Sequence, residues 1–154
     1  MKIALCQINT ILGNFDYNYK KILKFYTRSI NLNADIVVFP ELSVTGYPPQ
    51  DLLMNNEFIN ENLSILNKIA EKSTIPIIIG YVRACEKKIY NSAAICFNGK
   101  IQSSHDKVLL PTYDVFDEAR YFTSGIKPKV SIIPSGESEL RVGLQICEDL
   151  WDNN

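Results

Sequence analysis

Apolar residues follow strand-like and helix-like spacing in turn along the first half of the chain. Residues 2–9 form a short apolar run, and residues 34–40 and 75–82 are nearly continuous in apolar residues, as strands covered on both faces are. Between these runs lie two segments with helical periodicity, of which the first opens at Asp16 and closes at the asparagines near 31–33. The order strand, helix, strand, helix, strand predicts an α/β fold in which helices pack against a sheet. The apolar positions of the two helical segments are Tyr19, Ile22, Leu23, Tyr26 and Ile30, and then Phe58, Ile59, Leu63, Leu66, Ile69 and Ala70.

The second half of the chain favours hairpins. Residues 91–97 and 100–105 flank an Asn-Gly pair, which suits a two-residue type I′ turn. Residues 130–134 and 140–146 flank a Ser-Gly pair and form a second hairpin candidate. No repeat, low-complexity tract or flexible linker interrupts the chain, so a single domain is predicted.

Lys107 stands at the beginning of residues 107–128, a stretch with little strand character and many aromatic residues. Because the apolar side chains after Lys107 indicate a packed loop, this lysine is expected to be partly buried and to need a carboxylate partner. The side chains expected to pack are Val108, Leu109, Leu110, Tyr113, Phe116, Tyr121 and Phe122.

Composition and charge narrow the classes of function. The chain has 154 residues, of which 46% are apolar and 21% charged, and its net charge is −1, as in a globular domain with a substantial core. Without a basic cluster interleaved with aromatic residues, neither nucleic acid nor an acidic membrane surface is an expected partner. No apolar run approaches the roughly 20 residues of a membrane helix, and the first residues lack the pattern of a secretory leader. A cytoplasmic location is therefore expected.

The four cysteines are widely separated and include no Cys-x-x-Cys pair, so no metal site is expected. Disulfides are not expected in a reducing compartment. Cys6, Cys85 and Cys96 lie in apolar runs and are expected to be small buried hydrophobic residues. Cys147 differs because it ends a strand-like run and is followed at once by two carboxylates.

Cys147 is a candidate nucleophile, since a nucleophile on a sharp turn after a strand projects into a cleft beside backbone N–H groups. Its thiol must lose a proton to react, and this requires a base or a positive field. Two arrangements are open. Either His105, the only histidine, is the base, or Glu41 takes the proton with Lys107 as the nearby cation. Glu41, Lys107 and Cys147 all follow predicted strands and could meet at one edge of the sheet.

Three segments together resemble the nitrilase, or carbon–nitrogen hydrolase, superfamily. They are "FPELSVTGYPPQDLL" (39–53), "KVLLPTYDVFDEARYF" (107–122) and "QICEDLW" (145–151). The tyrosine-rich second segment and the "CEDLW" ending are most similar to the glutamine-hydrolysing domains of the NAD⁺ synthetase branch. The resemblance implies a Glu-Lys-Cys triad with one residue in each of the three segments.

The resemblance also implies the role of each residue. Glu41 would be the general base, Lys107 would stabilise the tetrahedral intermediate, and Cys147 would be the nucleophile, with a backbone N–H after it completing the oxyanion site. His105 matches no catalytic position, so the cysteine–histidine pair ranks below the triad. The residues that the resemblance places in a glutamine pocket are Tyr47, Tyr113, Glu148 and Trp151, of which Glu148 would pair with the substrate ammonium group.

The fold implied is a four-layer α-β-β-α sandwich, of which residues 1–154 would supply the amino-terminal portion. The family's hydrolase domain continues well past the nucleophile, and the Ser-Gly-Gly-x-Asp-Ser signature of the synthetase domain is absent here. No cofactor is expected in this chain, and ATP and Mg²⁺ would belong only to the missing synthetase domain. An incomplete sandwich would leave an apolar edge and face uncovered, so self-association or a second chain that completes the fold is expected.

Three functions are compatible with the sequence. The chain could be the glutaminase part of a glutamine-dependent NAD⁺ synthetase, which supplies ammonia to a synthetase domain. It could instead be another amidase or nitrilase of the same superfamily. The third reading is a non-catalytic remnant or subunit of a split synthetase.

Overall fold

Five strands form one mixed sheet in the order β1-β2-β3-β4-β5 in the computed structural model, which describes residues 1–128, 130–135 and 138–151. The first three strands are parallel, and β3, β4 and β5 form an antiparallel meander. The predicted α/β sheet is thereby confirmed. The strands are β1 (Ile3–Leu5), β2 (Ile36–Val38), β3 (Ile77–Cys85), β4 (Lys88–Phe97) and β5 (Lys100–Asp106).

Two helices, α1 (Phe15–Asn31) and α2 (Asn56–Glu71), cover one face of this sheet. Each begins after an asparagine whose side chain accepts a backbone N–H of the first turn, Asn14 in α1 and Asn55 in α2. No helix in the described part of the chain is both long enough and apolar enough to cross a membrane. The core between helices and sheet includes Ile22, Tyr26, Val37, Ile65, Leu66, Ile69, Ile77 and Ile79.

A separate hairpin of β6 (Val130–Ser135) and β7 (Ser138–Gly143) packs on the opposite face of the sheet. Helices, sheet and hairpin thus give three successive layers of the expected α-β-β-α sandwich. On its outer side the hairpin exposes Val130 and Ile132, each 56% accessible. Within the described residues no helix covers this outer side. The second core, between sheet and hairpin, comprises Ile36, Ile78, Ala93, Ile95, Ile133, Leu144 and Ile146.

Two strands are shorter than the sequence predicts. The strand predicted over 2–9 ends at Leu5, because its neighbour β2 offers only three residues to pair with, and one further bond joins Cys6 N–H to Val38 O. The strand predicted over 140–146 ends at Gly143, where the chain leaves the ladder. The Ser-Gly turn includes residue 136, which lies outside the described residues.

The hairpin between β3 and β4 was missed by sequence reasoning, because its outer part is charged rather than apolar. Both strands extend beyond the predicted apolar runs and turn at Glu86, whose φ is 56°. Cys85 lies next to this turn and is exposed, so the prediction that it is buried is wrong, whereas Cys6 and Cys96 are buried as predicted.

The long segment after β5 has little regular structure, as predicted, apart from a short 3-10 turn at Glu118–Arg120. Its packing is only partly as expected. Phe122 is buried with Leu110 and Tyr121 packed nearby, but Tyr113 is exposed. The segment is therefore packed at its beginning and around Phe122, and it is exposed at Tyr113 and at Ile126.

Gly80, in the middle of β3, allows the loop after β2 to lie directly on the sheet. A Cβ atom at this position would come within 2.1 Å of Leu42 N and 2.7 Å of Pro40 O. The absence of a side chain at Gly80 therefore sets how closely Glu41 approaches the centre of the molecule.

Candidate active site

A buried ammonium group forms the centre of the site. The Lys107 side chain has 0% accessibility, and its Nζ donates to Glu41 Oε1 at 2.8 Å and to Glu118 Oε1 at 3.0 Å. This confirms the expectation of a carboxylate partner and adds a second one. Burial disfavours the charged form of Lys107, but the hydrogen bonds and charges of Glu41 and Glu118 outweigh it, so its pKa is raised.

Asn91 joins the two segments that carry Glu41 and Lys107. This buried residue on β4 donates from its side-chain amide to Glu41 Oε1 at 2.6 Å, and its backbone carbonyl accepts from Lys107 N–H at 2.8 Å. Oε1 of Glu41 thus accepts two hydrogen bonds, one from Asn91 and one from Lys107. Because both donors are buried, they hold the carboxylate in one orientation.

Glu118 was not identified from the sequence. It is buried at the start of the 3-10 turn, and it accepts the hydroxyl of Tyr47 at 2.9 Å as well as the ammonium of Lys107. The available signal was an acid within an aromatic loop close in sequence to a lysine that needs neutralising. That signal does not distinguish Glu118 from the neighbouring Asp117, because only the loop path decides which acid points inward.

Cys147 lies where the chain turns sharply after β7. Its φ is 47°, in the left-handed region that few residues other than glycine adopt, and it begins a short 3-10 turn, Cys147–Leu150. A cavity of about 330 Å³ is lined by both Glu41 and Cys147, with Phe39 and Ala93 among its apolar wall residues. The structure therefore brings together the acid, the lysine and the thiol that the three segments predicted.

The charges around Cys147 favour a protonated resting thiol. Burial is the largest influence that raises its pKa and the negative charge of Glu41 adds to it, while Lys107 and the backbone N–H of Glu148 act in the opposite direction. The net result is a raised pKa. A nucleophile in this state needs a base at the moment of reaction, and Glu41 is the carboxylate that shares its cavity.

Alkylation of Cys147 should accordingly show a pH profile displaced upward. We expect the rate of iodoacetamide labelling to rise with pH and to reach half its maximum above the ordinary thiol pKa, because the folded protein disfavours the thiolate. Site-resolved mass spectrometry measures this rate separately for each cysteine. An inflection below the ordinary thiol value would contradict the charge balance described above.

His105 is not placed to act as a base for Cys147. It is buried on β5, and its Nε2 lies 3.2 Å from Asp149 Oδ2. The ring of His105 thus contacts Asp149. In the part of the chain that the structure describes, no hydrogen bond joins His105 to Cys147, as the alternative cysteine–histidine pair would require. Asp149 was not singled out in the sequence beyond its position after the cysteine.

Three of the four residues predicted for a glutamine pocket line one cavity. Tyr113, Glu148 and Trp151 surround a space of about 300 Å³, and the Tyr113 hydroxyl donates to Glu148 Oε2 at 2.8 Å. Tyr47 is placed apart from them, in a smaller cavity beside Glu118. Its contact with Glu118 connects it to the charged centre of the site instead.

No group of three or more histidine, cysteine, aspartate or glutamate side chains within residues 1–128, 130–135 and 138–151 is arranged to hold a metal ion.

Comparison with known proteins gives consistent matches over nearly the whole chain. The glutamine-dependent NAD(+) synthetase of Thermotoga maritima is 35% identical over 155 residues, and that of Synechocystis sp. is 39% identical over 160 residues. These alignments cover 99% and 98% of this chain but only 26% and 28% of the relatives. The chain thus spans about a quarter of the length of these two curated relatives.

A solved structure matches at the level of the fold and the sequence. The glutamine-dependent NAD+ synthetase of Acinetobacter baumannii, determined in complex with ADP, superposes with a TM-score of 0.87 at 35% identity. The match covers 97% of this chain and 28% of that one.

The family model for carbon–nitrogen hydrolases matches residues 2–154. With this match over the whole sheet, the hairpin and the site, the chain belongs to the carbon–nitrogen hydrolase family.

Proposed function

We propose that this chain hydrolyses the side-chain amide of glutamine and releases ammonia, with Glu41, Lys107 and Cys147 as its catalytic residues. One observation carries the proposal: a fully buried lysine is ion-paired to a carboxylate that shares a cavity with a cysteine in a left-handed turn. A structural ion pair alone would not need an adjacent exposed thiol. Acid, cation and thiol at one cavity are the groups that acyl transfer requires.

In the first half of the reaction, the Cys147 thiol transfers its proton to Glu41 and its sulfur attacks the amide carbon. The carbonyl π electrons move to oxygen, where the Lys107 ammonium and the Glu148 backbone N–H stabilise the negative charge. The C–N bond then breaks, and nitrogen takes the proton from Glu41 and leaves as ammonia. A thioester of Cys147 remains.

In the second half, Glu41 accepts a proton from a water molecule, and the oxygen of this water attacks the thioester carbon. Collapse of this second tetrahedral intermediate breaks the C–S bond and releases the carboxylic acid, and Glu41 gives its proton to the leaving sulfur, which restores the Cys147 thiol. Glu118 keeps Lys107 charged throughout, because it stays paired with the ammonium when Glu41 becomes protonated.

Glutamine is proposed as the substrate because the two curated relatives described above are named as glutamine-dependent enzymes. The cavity bounded by Tyr113, Glu148 and Trp151 fits this assignment, since Glu148 offers a carboxylate to a substrate ammonium group. We further propose that the ammonia serves an ATP- and Mg²⁺-dependent synthetase unit that these residues do not contain, in the cytoplasm. This chain itself is proposed to need no cofactor.

Apolar surface supports the proposal that another polypeptide covers the hairpin and the sheet edge. Val130 and Ile132 are exposed on β6, and Leu5 on the edge strand β1 is 78% exposed. Such surface is commonly buried by a further layer or by a second copy of the chain. Both the remaining part of the sandwich and a homo-oligomer would satisfy it.

The proposal is tested by measuring ammonia release from glutamine, asparagine, a simple aliphatic amide and a nitrile. We expect kcat/KM for glutamine to exceed the values for the aliphatic amide and the nitrile by at least about tenfold, because these two compounds lack the ammonium group that Glu148 would pair with. Asparagine carries the same ammonium group and therefore tests whether the length of the side chain matters. Cys85→Ala is the matched control, since it removes an exposed thiol remote from the cavity. Equal rates on all amides would indicate a general amidase, and no release from any compound would refute the proposal.

A further inference from the structure

Asp149 bonds to backbone on both sides of the site without belonging to the proposed triad. Its side chain is 2% accessible. Oδ1 accepts the N–H groups of Val108 and Leu109, each at 2.9 Å, and Oδ2 accepts the N–H of Ile146 at 3.0 Å and lies 3.2 Å from His105 Nε2. One buried carboxylate is thus surrounded by four nitrogen partners.

These partners come from the two segments whose relative position matters most for the reaction. Val108 and Leu109 directly follow Lys107, and Ile146 directly precedes Cys147. The two segments are about forty residues apart in the chain, so no local turn fixes the distance between them. Asp149 lies in the turn that Cys147 begins, and its carboxylate bridges the two segments. Oδ1 bonds to the segment after Lys107, and Oδ2 bonds to Ile146 and also lies against His105 on β5.

The partners also require a carboxylate rather than another polar group. Three of them are backbone N–H groups, which can only donate, so both oxygens must accept. Burial acts to raise the pKa of Asp149, but the N–H groups of Leu109 and Ile146 and the other donors outweigh it, so the pKa is lowered. The bridge is therefore charged at neutral pH.

We infer that Asp149 is a positioning residue, which sets the distance between the Glu41–Lys107 ion pair and the sulfur of Cys147 by tying the segment after Lys107 to the turn before Cys147. This inference rests on the proposed function, because that distance affects a reaction only if the three residues act together. A purely structural role is the alternative. In that case the loss of Asp149 would change stability and leave the relation between Glu41 and Cys147 intact in the folded protein.

Asp149→Asn is the informative substitution, because it keeps the size of the side chain and changes one oxygen to an amide nitrogen. The remaining oxygen can still accept from Val108 and Leu109, but the new NH₂ group would face the N–H of Ile146, donor against donor. The substitution therefore loosens the turn that carries Cys147 relative to the segment after Lys107, because residue 149 keeps its bonds to that segment and loses its bond to Ile146. Asp35→Asn, at an exposed carboxylate beside β2, is the matched control.

The readout is the electrostatic coupling between Glu41 and Cys147, measured as the shift that Glu41→Gln causes in the pH profile of Cys147 alkylation. Removing a negative charge close to the thiol should lower the inflection by roughly one pH unit in the otherwise unaltered protein and in the Asp35→Asn background. In the Asp149→Asn background we expect less than about half of this shift. We also expect kcat for glutamine to fall about 10- to 100-fold with little change in KM.

Two other cysteines report on folding in the same experiment. Cys96 is fully buried, with a pKa raised by burial to about 12, so its labelling indicates unfolding, whereas exposed Cys85 supplies a reference rate. A full Glu41 shift in Asp149→Asn with Cys96 protected would overturn the inference. No shift in the unaltered protein would overturn both the inference and the proposed function. Full coupling behaviour without glutamine hydrolysis would refute the proposed function alone.

A second pair of variants decides the matter if Asp149→Asn exposes Cys96. His105→Gln retains an N–H donor toward Asp149 Oδ2, and His105→Leu removes it. We expect the Glu41 shift to be preserved in the first and reduced in the second. Equal shifts in the two variants would overturn the inference.

Discussion

Replacing Lys107 with methionine is expected to reduce amide hydrolysis by at least about 100-fold and to lower the free energy of unfolding by about 3–5 kcal/mol. The ammonium is fully buried between Glu41 and Glu118. Without it, two carboxylates remain in the same interior region with no cation, and the developing oxyanion loses its positive partner. Few single substitutions in this chain remove a charge from so enclosed a position.

Chemical denaturation and ammonia release measure the two effects separately. Lys20→Met is the matched control, because Lys20 forms an exposed ion pair with Asp16 within one helix, and its loss should cost less than about 1 kcal/mol. Adding Glu118→Gln to Lys107→Met should recover part of the stability, since it removes one of the two unpaired charges, without restoring hydrolysis. If Lys107→Met were as stable as Lys20→Met, the buried ion pairs of Lys107 would not stabilise the fold.

The stability that Lys107→Met loses depends on pH in a defined direction. The pKa of Lys107 is raised on folding, so its stabilising contribution is complete below the ordinary lysine pKa and is lost only as the pH rises through the higher folded value. The difference in unfolding free energy between the unaltered protein and Lys107→Met should therefore be constant across the neutral range.

Replacing Cys147 with glycine should abolish hydrolysis and still give a protein about 1 kcal/mol more stable than Cys147→Ala. The reason is the backbone conformation. At a φ of 47°, any side chain with a Cβ is strained, while glycine is not. Both substitutions remove the nucleophile, so the pair isolates the cost of the left-handed turn.

Thermal or urea unfolding of the two variants, with ammonia release as the activity measurement, checks this expectation. Equal stability of Cys147→Gly and Cys147→Ala would mean that the turn is not strained. The predicted order would instead mean that the site retains a side chain where the backbone favours none, as functional positions often do. The strain would be a consequence of presenting the sulfur at the cavity.

Several features of the site could be predicted because they depend on local sequence. Glu41 and Cys147 each follow a recognisable apolar strand-like run, and the polar groups beyond such runs meet at a sheet edge. Lys107 was expected to be buried with a carboxylate because the residues after it are apolar. Its actual burial is complete, and its partners number two rather than one.

Other features had no local signal. Glu118 and Asp117 are adjacent acids in the same loop, and only the three-dimensional path of residues 107–122 selects Glu118 for Lys107. Cys85 was expected to be buried because it follows an apolar run, but it lies at the exposed end of a hairpin. The pairing of β3 with β4 extends both strands beyond the core. Register depends on pairing partners, which a single strand does not specify.

The amino-acid sequence by itself determined the α/β class, the two helices, the Asn-Gly hairpin and the three segments that carry Glu41, Lys107 and Cys147, since periodicity, turn chemistry and motif order are local properties. Only the tertiary structure decided that Glu118 and Asn91 complete the charged centre, that Tyr47 lies with Glu118 and apart from Tyr113, and that Asp149 bridges two distant segments. Burial and long-range hydrogen bonding arise when separate parts of the chain pack together. They depend on distances that spacing along the sequence does not contain.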